Sequence, residues 1–109
     1  MITDLEEKGY VKQAEIMRAM SHWLRVAIID YLRYGEQCVC DIAEHVGSQR
    51  SNVSRHLSVL VNAGILESRK QGLKVIYKLK TPCVLEFFSC VKSCLKERAK
   101  ESQELLKSL

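Results

Sequence analysis

The sequence predicts a mainly α fold with one small β-hairpin, and three observations predict it. Apolar residues recur at helical spacing between Leu5 and Val61, in segments that stop at Gly35, Gly47 and Gly64. The pattern then changes to two strand-like runs, Ile65 to Arg69 and Val75 to Leu79, on either side of the turn Lys70-Gln71-Gly72-Leu73. Thr81-Pro82 next announces a closing helix that runs nearly to the C-terminus.

Each element has its own local cause. The first helix opens on Thr3-Asp4-Leu5-Glu6, the spacing at which a threonine hydroxyl and a glutamate carboxylate cap each other's backbone amides. Leu5, Val11, Ala14, Met17 and Met20 follow at helix-like intervals, and Gly9 weakens the start. A second helix takes Ser21 as cap, carries Trp23, Leu24, Ala27, Ile28, Tyr31 and Leu32 on one side, and ends at Gly35. The third is short, from about Cys38 to Val46, and Gly47 terminates it. The fourth runs from about Gln49 to Asn62, with an apolar stripe of Val53, Leu57, Leu60 and Val61 at i, i+4, i+7 and i+8. The last helix takes Thr81 as cap and Pro82 at its first position, where a missing N–H costs no hydrogen bond. No linker, repeat or low-complexity stretch divides the chain, so residues 1–109 are read as a single domain.

Composition narrows the setting. A domain of 109 residues buries only about two-thirds of its unfolded surface, so pairing with a second copy brings a large gain. The chain is 47% apolar, as a globular protein is, yet no apolar run approaches the roughly 18 residues that a membrane span needs. Its start, Ile2-Thr3-Asp4-Leu5-Glu6-Glu7, is acidic and lacks the apolar centre of a signal peptide, which points to the cytoplasm. Thiols stay reduced there, so five cysteines suggest metal or redox chemistry in preference to structural disulfides. A buried cysteine serves equally as a small hydrophobe. The net charge of +4 is compatible with a nucleic-acid partner without identifying one.

Helix, helix, short helix, turn, helix and a basic-tipped hairpin is the order of a winged helix-turn-helix. In that fold the second helix of the motif enters the major groove. Here Gln49, Arg50, Ser51, Asn52, Ser54, Arg55 and His56 lie on it outside the apolar stripe, where their side chains suit base edges and phosphates. Arg69, Lys70 and Lys74 on the hairpin are placed to meet phosphate. A solvated polar helix and a solvated turn would have the same composition. The element order favours double-stranded DNA.

The chain resembles the arsenical-resistance repressor family, the ArsR/SmtB type. The resemblance rests on Met20-Ser21 through Arg25, Ile28-Ile29, Cys38-Val39-Cys40-Asp41-Ile42 and Val53-Ser54-Arg55-His56-Leu57. It continues through Ala63-Gly64-Ile65-Leu66 and Arg69-Lys70-Gln71-Gly72 to Tyr77-Lys78-Leu79. It implies a homodimeric repressor that leaves its operator when an inducer binds. Many members carry Asp-Pro-Thr ahead of the arginine matching Arg25, where this chain has His22-Trp23-Leu24. The arsenic-type motif often has a third cysteine three residues after the second; that position is Ala43 here.

Cys38 and Cys40 carry the sensing hypothesis on physical grounds too. Residues two apart on a continuous helix point about 200° away from each other and cannot share an ion. Cys38, however, falls at the cap, before the backbone becomes helical, and its side chain folds back over the first turn that holds Cys40. Free amides and the positive helix end favour the thiolate, the form that binds metal. Committing the cap sulfur to an ion disturbs the short helix and with it the recognition helix beside it. Two thiolates are still too few, because trivalent arsenic or antimony takes three sulfurs and zinc or cadmium takes four ligands.

The last helix offers more. At about 100° per residue, Cys83, Cys90 and Cys94 fall in one narrow stripe between an apolar sector, Val84, Phe87, Phe88, Val91 and Leu95, and a polar one. The cysteines are candidate ligands, and the apolar sector is a candidate dimer seam with the first helix; packing within one chain is the plainer use of both. His22, His45 and His56 have no partner at ligand spacing, so a tetrahedral site would be built from sulfur. The expected function is a repressor induced by arsenite or antimonite, with cadmium, lead or zinc behind them and no organic cofactor. The alternative is a thiol redox or polysulfide switch joining Cys38 or Cys40 to Cys90 or Cys94. An enzyme is not expected, since no base and orienting partner assemble around a nucleophilic cysteine.

Overall fold

The computed structural model describes all 109 residues as five α-helices and a three-stranded antiparallel sheet. The helices are α1 (Asp4–Ala19), α2 (Trp23–Tyr31), α3 (Val39–Val46), α4 (Arg50–Asn62) and α5 (Val84–Ser108); the strands are β1 (Gln37–Cys38), β2 (Leu66–Gln71) and β3 (Lys74–Leu79). This is the winged helix-turn-helix arrangement. α3 and α4 are joined by a turn at Gly47, which takes φ +70°. The amides of Gly47 and Ser48 both donate to the carbonyl of Ala43. A non-glycine residue is strained in that backbone.

The core forms where α2, α3, α4 and the base of the hairpin meet. Leu24, Ile28, Ile29, Ile42, Val53, Leu57, Leu60, Ile65 and Leu66 are sealed from water there. Full burial of each such side chain stabilises by about 1.5–3 kcal/mol before entropy is counted. The apolar stripe expected on α4 is the face that packs, with Val61 half-buried at its edge.

Several boundaries differ from the sequence reading, each for a local reason. The expected capping box of α1 is present, with the Glu6 amide donating to Thr3 Oγ1 and the Thr3 amide to Glu6 Oε2. α2, however, is capped by His22, whose Nδ1 accepts from the Leu24 amide at 3.1 Å. Ser21, the expected cap, instead donates its hydroxyl to the Arg18 carbonyl that ends α1. Trp23 is 71% exposed rather than packed with Leu24 and Ile28. Pro82 starts a tight turn in place of a capped helix. The carbonyls of Thr81, Pro82 and Cys83 accept from residues three ahead, while Thr81 Oγ1 caps nothing. The hairpin turn is only Gly72-Leu73, with Gly72 at φ +64°.

β1 is a further difference. This two-residue strand makes β3 the centre of the sheet, in the order β1-β3-β2, pairing Gln37 with Tyr77 and Cys38 with Ile76.

α1 and α5 stand away from this core. Within one chain α1 buries only Ala19, and α5 only Val84 and Phe88. The radius of gyration is 17.6 Å; a compact domain near this length has about 13 Å. Between α1, α2 and α5 runs an apolar groove of about 610 Å³, lined by residues that include Met17, Trp23, Phe87, Val91 and Leu95.

Candidate thiol site and nucleic-acid interface

Cys38 ends β1 and caps α3. Its backbone is extended, at φ −79° and ψ 162°, and its Sγ accepts from the Asp41 amide at 3.4 Å. The side chain therefore bends over the first turn and meets Cys40. The structure joins the two as a disulfide, with their Cα atoms 5.4 Å apart. The ligand atoms of Cys38, Cys40 and Asp41 all lie within 4.8 Å of one another, the only such three-residue group in the chain. Cys38 is 4% exposed and Cys40 half-buried, so access is from the Cys40 side. There, Cys40 lines a shallow surface pocket of about 530 Å³ with Ala43, Glu44, Gly47, Ser48, Gln49 and Arg50. Cys40 thus borders the start of α4.

The donor set fits a soft ion in part. Two sulfurs suit trivalent arsenic, cadmium or zinc, while the carboxylate oxygen of Asp41 suits the last two better. Cys83, Cys90 and Cys94 are free and exposed on α5 or at its cap, and a single chain does not bring them to Cys38 and Cys40.

The expected DNA-facing residues divide into two groups. Arg50, Ser51 and Arg55 are exposed on α4, with Gln49 as its cap. Asn52 is fixed by its own bonds, Nδ2 donating to Ser48 Oγ and Oδ1 accepting from Arg55, each at 2.9 Å. Ser54 is half-buried, its carbonyl taken by Ser58. His56 turns inward against His22, with ring centroids 4.4 Å apart, and its Nδ1 is sealed without a partner. Burial, reinforced by the neighbouring charges of His22, Arg25 and Arg55, holds the His56 imidazole below its ordinary pKa. His45 stacks on Tyr31 of α2, centroids 3.9 Å apart, which ties α3 to α2.

On the hairpin, Lys70 and Lys74 are exposed at the tip and have no ion-pair partner, like Arg50 and Arg55 on α4. Arg69 is engaged: its Nη2 donates to Glu36 Oε2 at 2.8 Å and to Gln71 Oε1 at 3.1 Å. That bond holds the Glu36 carboxyl below the usual carboxylate range and raises Arg69 in turn. Sequence reasoning missed Glu36 because its partner is 33 residues away. It missed His22 as a cap because hydroxyls and carboxamides dominate that position.

A helix-turn-helix with four unpaired cations on its recognition helix and wing is a DNA-binding domain of the winged type. The description "Bacterial regulatory protein, arsR family" matches residues 24–68. An arsenical resistance operon repressor of Staphylococcus xylosus is 34% identical over 71 residues, 65% of this chain and 68% of that protein. A cadmium resistance transcriptional regulatory protein CadC homolog of Staphylococcus aureus is 39% identical over 77 residues, 70% of this chain and 64% of that one. Among solved structures, the homodimeric winged helix-turn-helix DNA-binding domain of Mb0332 from Mycobacterium bovis superposes with a TM-score of 0.78. It is 25% identical, and the match covers 92% of this chain and 93% of that one. The chain belongs to the arsR family of transcriptional repressors. No helix is long and apolar enough to cross a membrane.

Proposed function

We propose that the chain is a cytoplasmic, homodimeric repressor that leaves its operator when a thiophilic inducer binds Cys38 and Cys40. The observation that carries this reading is the meeting of the two sulfurs at the α3 cap, beside the first residues of α4. The inducer is arsenite or antimonite, ahead of cadmium, lead or zinc. Relatives named for arsenical and for cadmium resistance are consistent with either group of ions. A third sulfur comes from Cys90 or Cys94, or from Cys83, of the second copy; these thiols are exposed and free to be recruited.

The mechanism follows from the cap. Sγ of Cys38 accepts from the Asp41 amide; Cys38 and Cys40 would hold the ion, and turning Sγ toward a shared ion would pull it out of its capping pose. α3 then loses its cap, and the turn that orients α4 shifts with it. Gln49, Arg50, Ser51, Asn52, Ser54 and Arg55 face the major groove, with His56 bracing α4 from behind. Arg69, Lys70 and Lys74 meet the flanking phosphates. The dimer forms through α1 and α5, whose apolar faces lie open in the single chain.

A second reading, a thiol redox repressor, is favoured by the sulfur–sulfur contact itself, which pairs Cys38 with Cys40 in place of the expected bridge to Cys90 or Cys94. One experiment separates the two. Strictly reduced protein is titrated with arsenite, cadmium and zinc while sulfur-to-ion absorbance and operator release are followed together. Release at stoichiometric arsenite without oxidant is the expected result. Release only after an oxidant is added transfers the function to the redox reading, and ion binding without release removes the sensor role.

A further inference from the structure

Cys38, Ile76 and Arg69 form one row across the three strands: Cys38 pairs with Ile76 on β3, and Ile76 pairs with Arg69 on β2. The residue just ahead of β1, Glu36, reaches Arg69 and makes the only ion pair in the molecule between segments distant in sequence. Nη2 of Arg69 serves both Glu36 and Gln71, which leaves Nε and Nη1 without a protein partner. Half of the Arg69 side chain is exposed.

From this juxtaposition we infer that Glu36 is a positioning residue for operator binding: it fixes the wing guanidinium of Arg69 against the strand that carries Cys38. The wing and the thiol site then share one rigid sheet row. A displacement of β1 at Cys38 moves Glu36 and releases Arg69, giving inducer occupancy a second route to DNA beside the cap of α3. The inference rests on the proposed reading that the wing meets phosphate and that Cys38 and Cys40 take the inducer.

Electrostatics alone gives the opposite sign, which makes the idea testable. Glu36 is a negative charge beside a DNA-facing surface, so simple removal of that charge tightens DNA binding. Removal of a positioning residue weakens it. Exposed ion pairs contribute little to folding, so Glu36→Gln leaves the melting temperature near that of the parent. Operator affinity of the full chain is measured by fluorescence anisotropy for Glu36→Gln, Arg69→Ala and the double variant, with and without arsenite.

The expected result is an operator affinity about three- to tenfold weaker in Glu36→Gln, with no further loss when Arg69→Ala is already present. Arsenite absorbance should titrate as in the parent, while the arsenite-driven change in operator affinity shrinks. If Arg69→Ala weakens binding but Glu36→Gln leaves it equal or tighter, the positioning role is overturned and the wing contact stands. An Arg69→Ala variant with unchanged affinity overturns the wing contact and the positioning role together.

Discussion

The sulfur of Cys38 caps α3 and is also a proposed ligand, so conservative substitutions at this one residue separate stability from sensing. Serine is a preferred cap, and Cys38→Ser should keep melting temperature and operator affinity while abolishing release by arsenite. Cys38→Ala loses the cap as well and should cost about 1 kcal/mol, read as a lower thermal midpoint. An alanine variant that melts with the parent would show that the Asp41 amide gains nothing from the sulfur. His56 makes a separate prediction. Its native pKa lies below the ordinary 6.5, so as pH falls below that value the unfolded chain takes up a proton that the folded chain resists. Stability is therefore fully present above the ordinary value and declines as pH falls toward the native one. Urea unfolding across about pH 5 to 8 should show this decline in the parent and a weaker one in His56→Gln. An identical pH profile in the variant would assign the decline to other groups.

Elements that bury a stripe were legible in the sequence, and elements defined by a distant partner were not. Val53, Leu57 and Leu60 announce α4 because a helix needs those spacings to cover a core. β1 has only two residues, too few to show alternation, and its existence depends on Tyr77 and Ile76 of β3. Glu36 was missed for the same reason. The convergence of Cys38 and Cys40 was readable because a helix cap is local geometry, while the proposed third ligand would depend on how two copies meet. The turn between α3 and α4 was marked by Gly47, and it carries the clearest prediction at this scale. At φ +70° an alanine is strained by roughly 1–2 kcal/mol, so Gly47→Ala should lower stability by about that amount. For a domain of this size each kcal/mol moves the melting midpoint by about 4–8 °C. Gly9, inside α1, has positive φ nowhere and no neighbour within 4 Å of an added Cβ. Gly9→Ala should therefore be neutral or slightly stabilising, and equal losses at both glycines would remove the backbone explanation.

At the scale of the whole molecule, the long α5 and the detached α1 make sense as half of a dimer, and operator binding then depends on assembly. Val91 and Leu95 lie on the open apolar face of α5 and line the groove against α1 and α2. Leu95→Glu places a charge in that seam and should convert a particle of twice the chain's mass to a monomer in analytical ultracentrifugation. The core residues around Ile28 and Leu57 are untouched by this change, so the monomer should keep its helical content. Salt dependence then counts the contacts that assembly brings together. Arg50, Arg55, Lys70 and Lys74 have no acidic partner in the free protein, so none must break an ion pair to meet a phosphate. With Arg69 as a fifth phosphate contact in each copy, log affinity falls against log salt with a slope of about −9. Arg50→Ala removes one contact per copy and should flatten the slope by about 2, whereas a residue that reads only bases would lower affinity with little change in slope. The Leu95→Glu monomer, left with one copy's contacts, should bind with about half the parent slope. A monomer that keeps the full slope would mean that one chain already spans the operator, and the open faces of α1 and α5 would need another occupant.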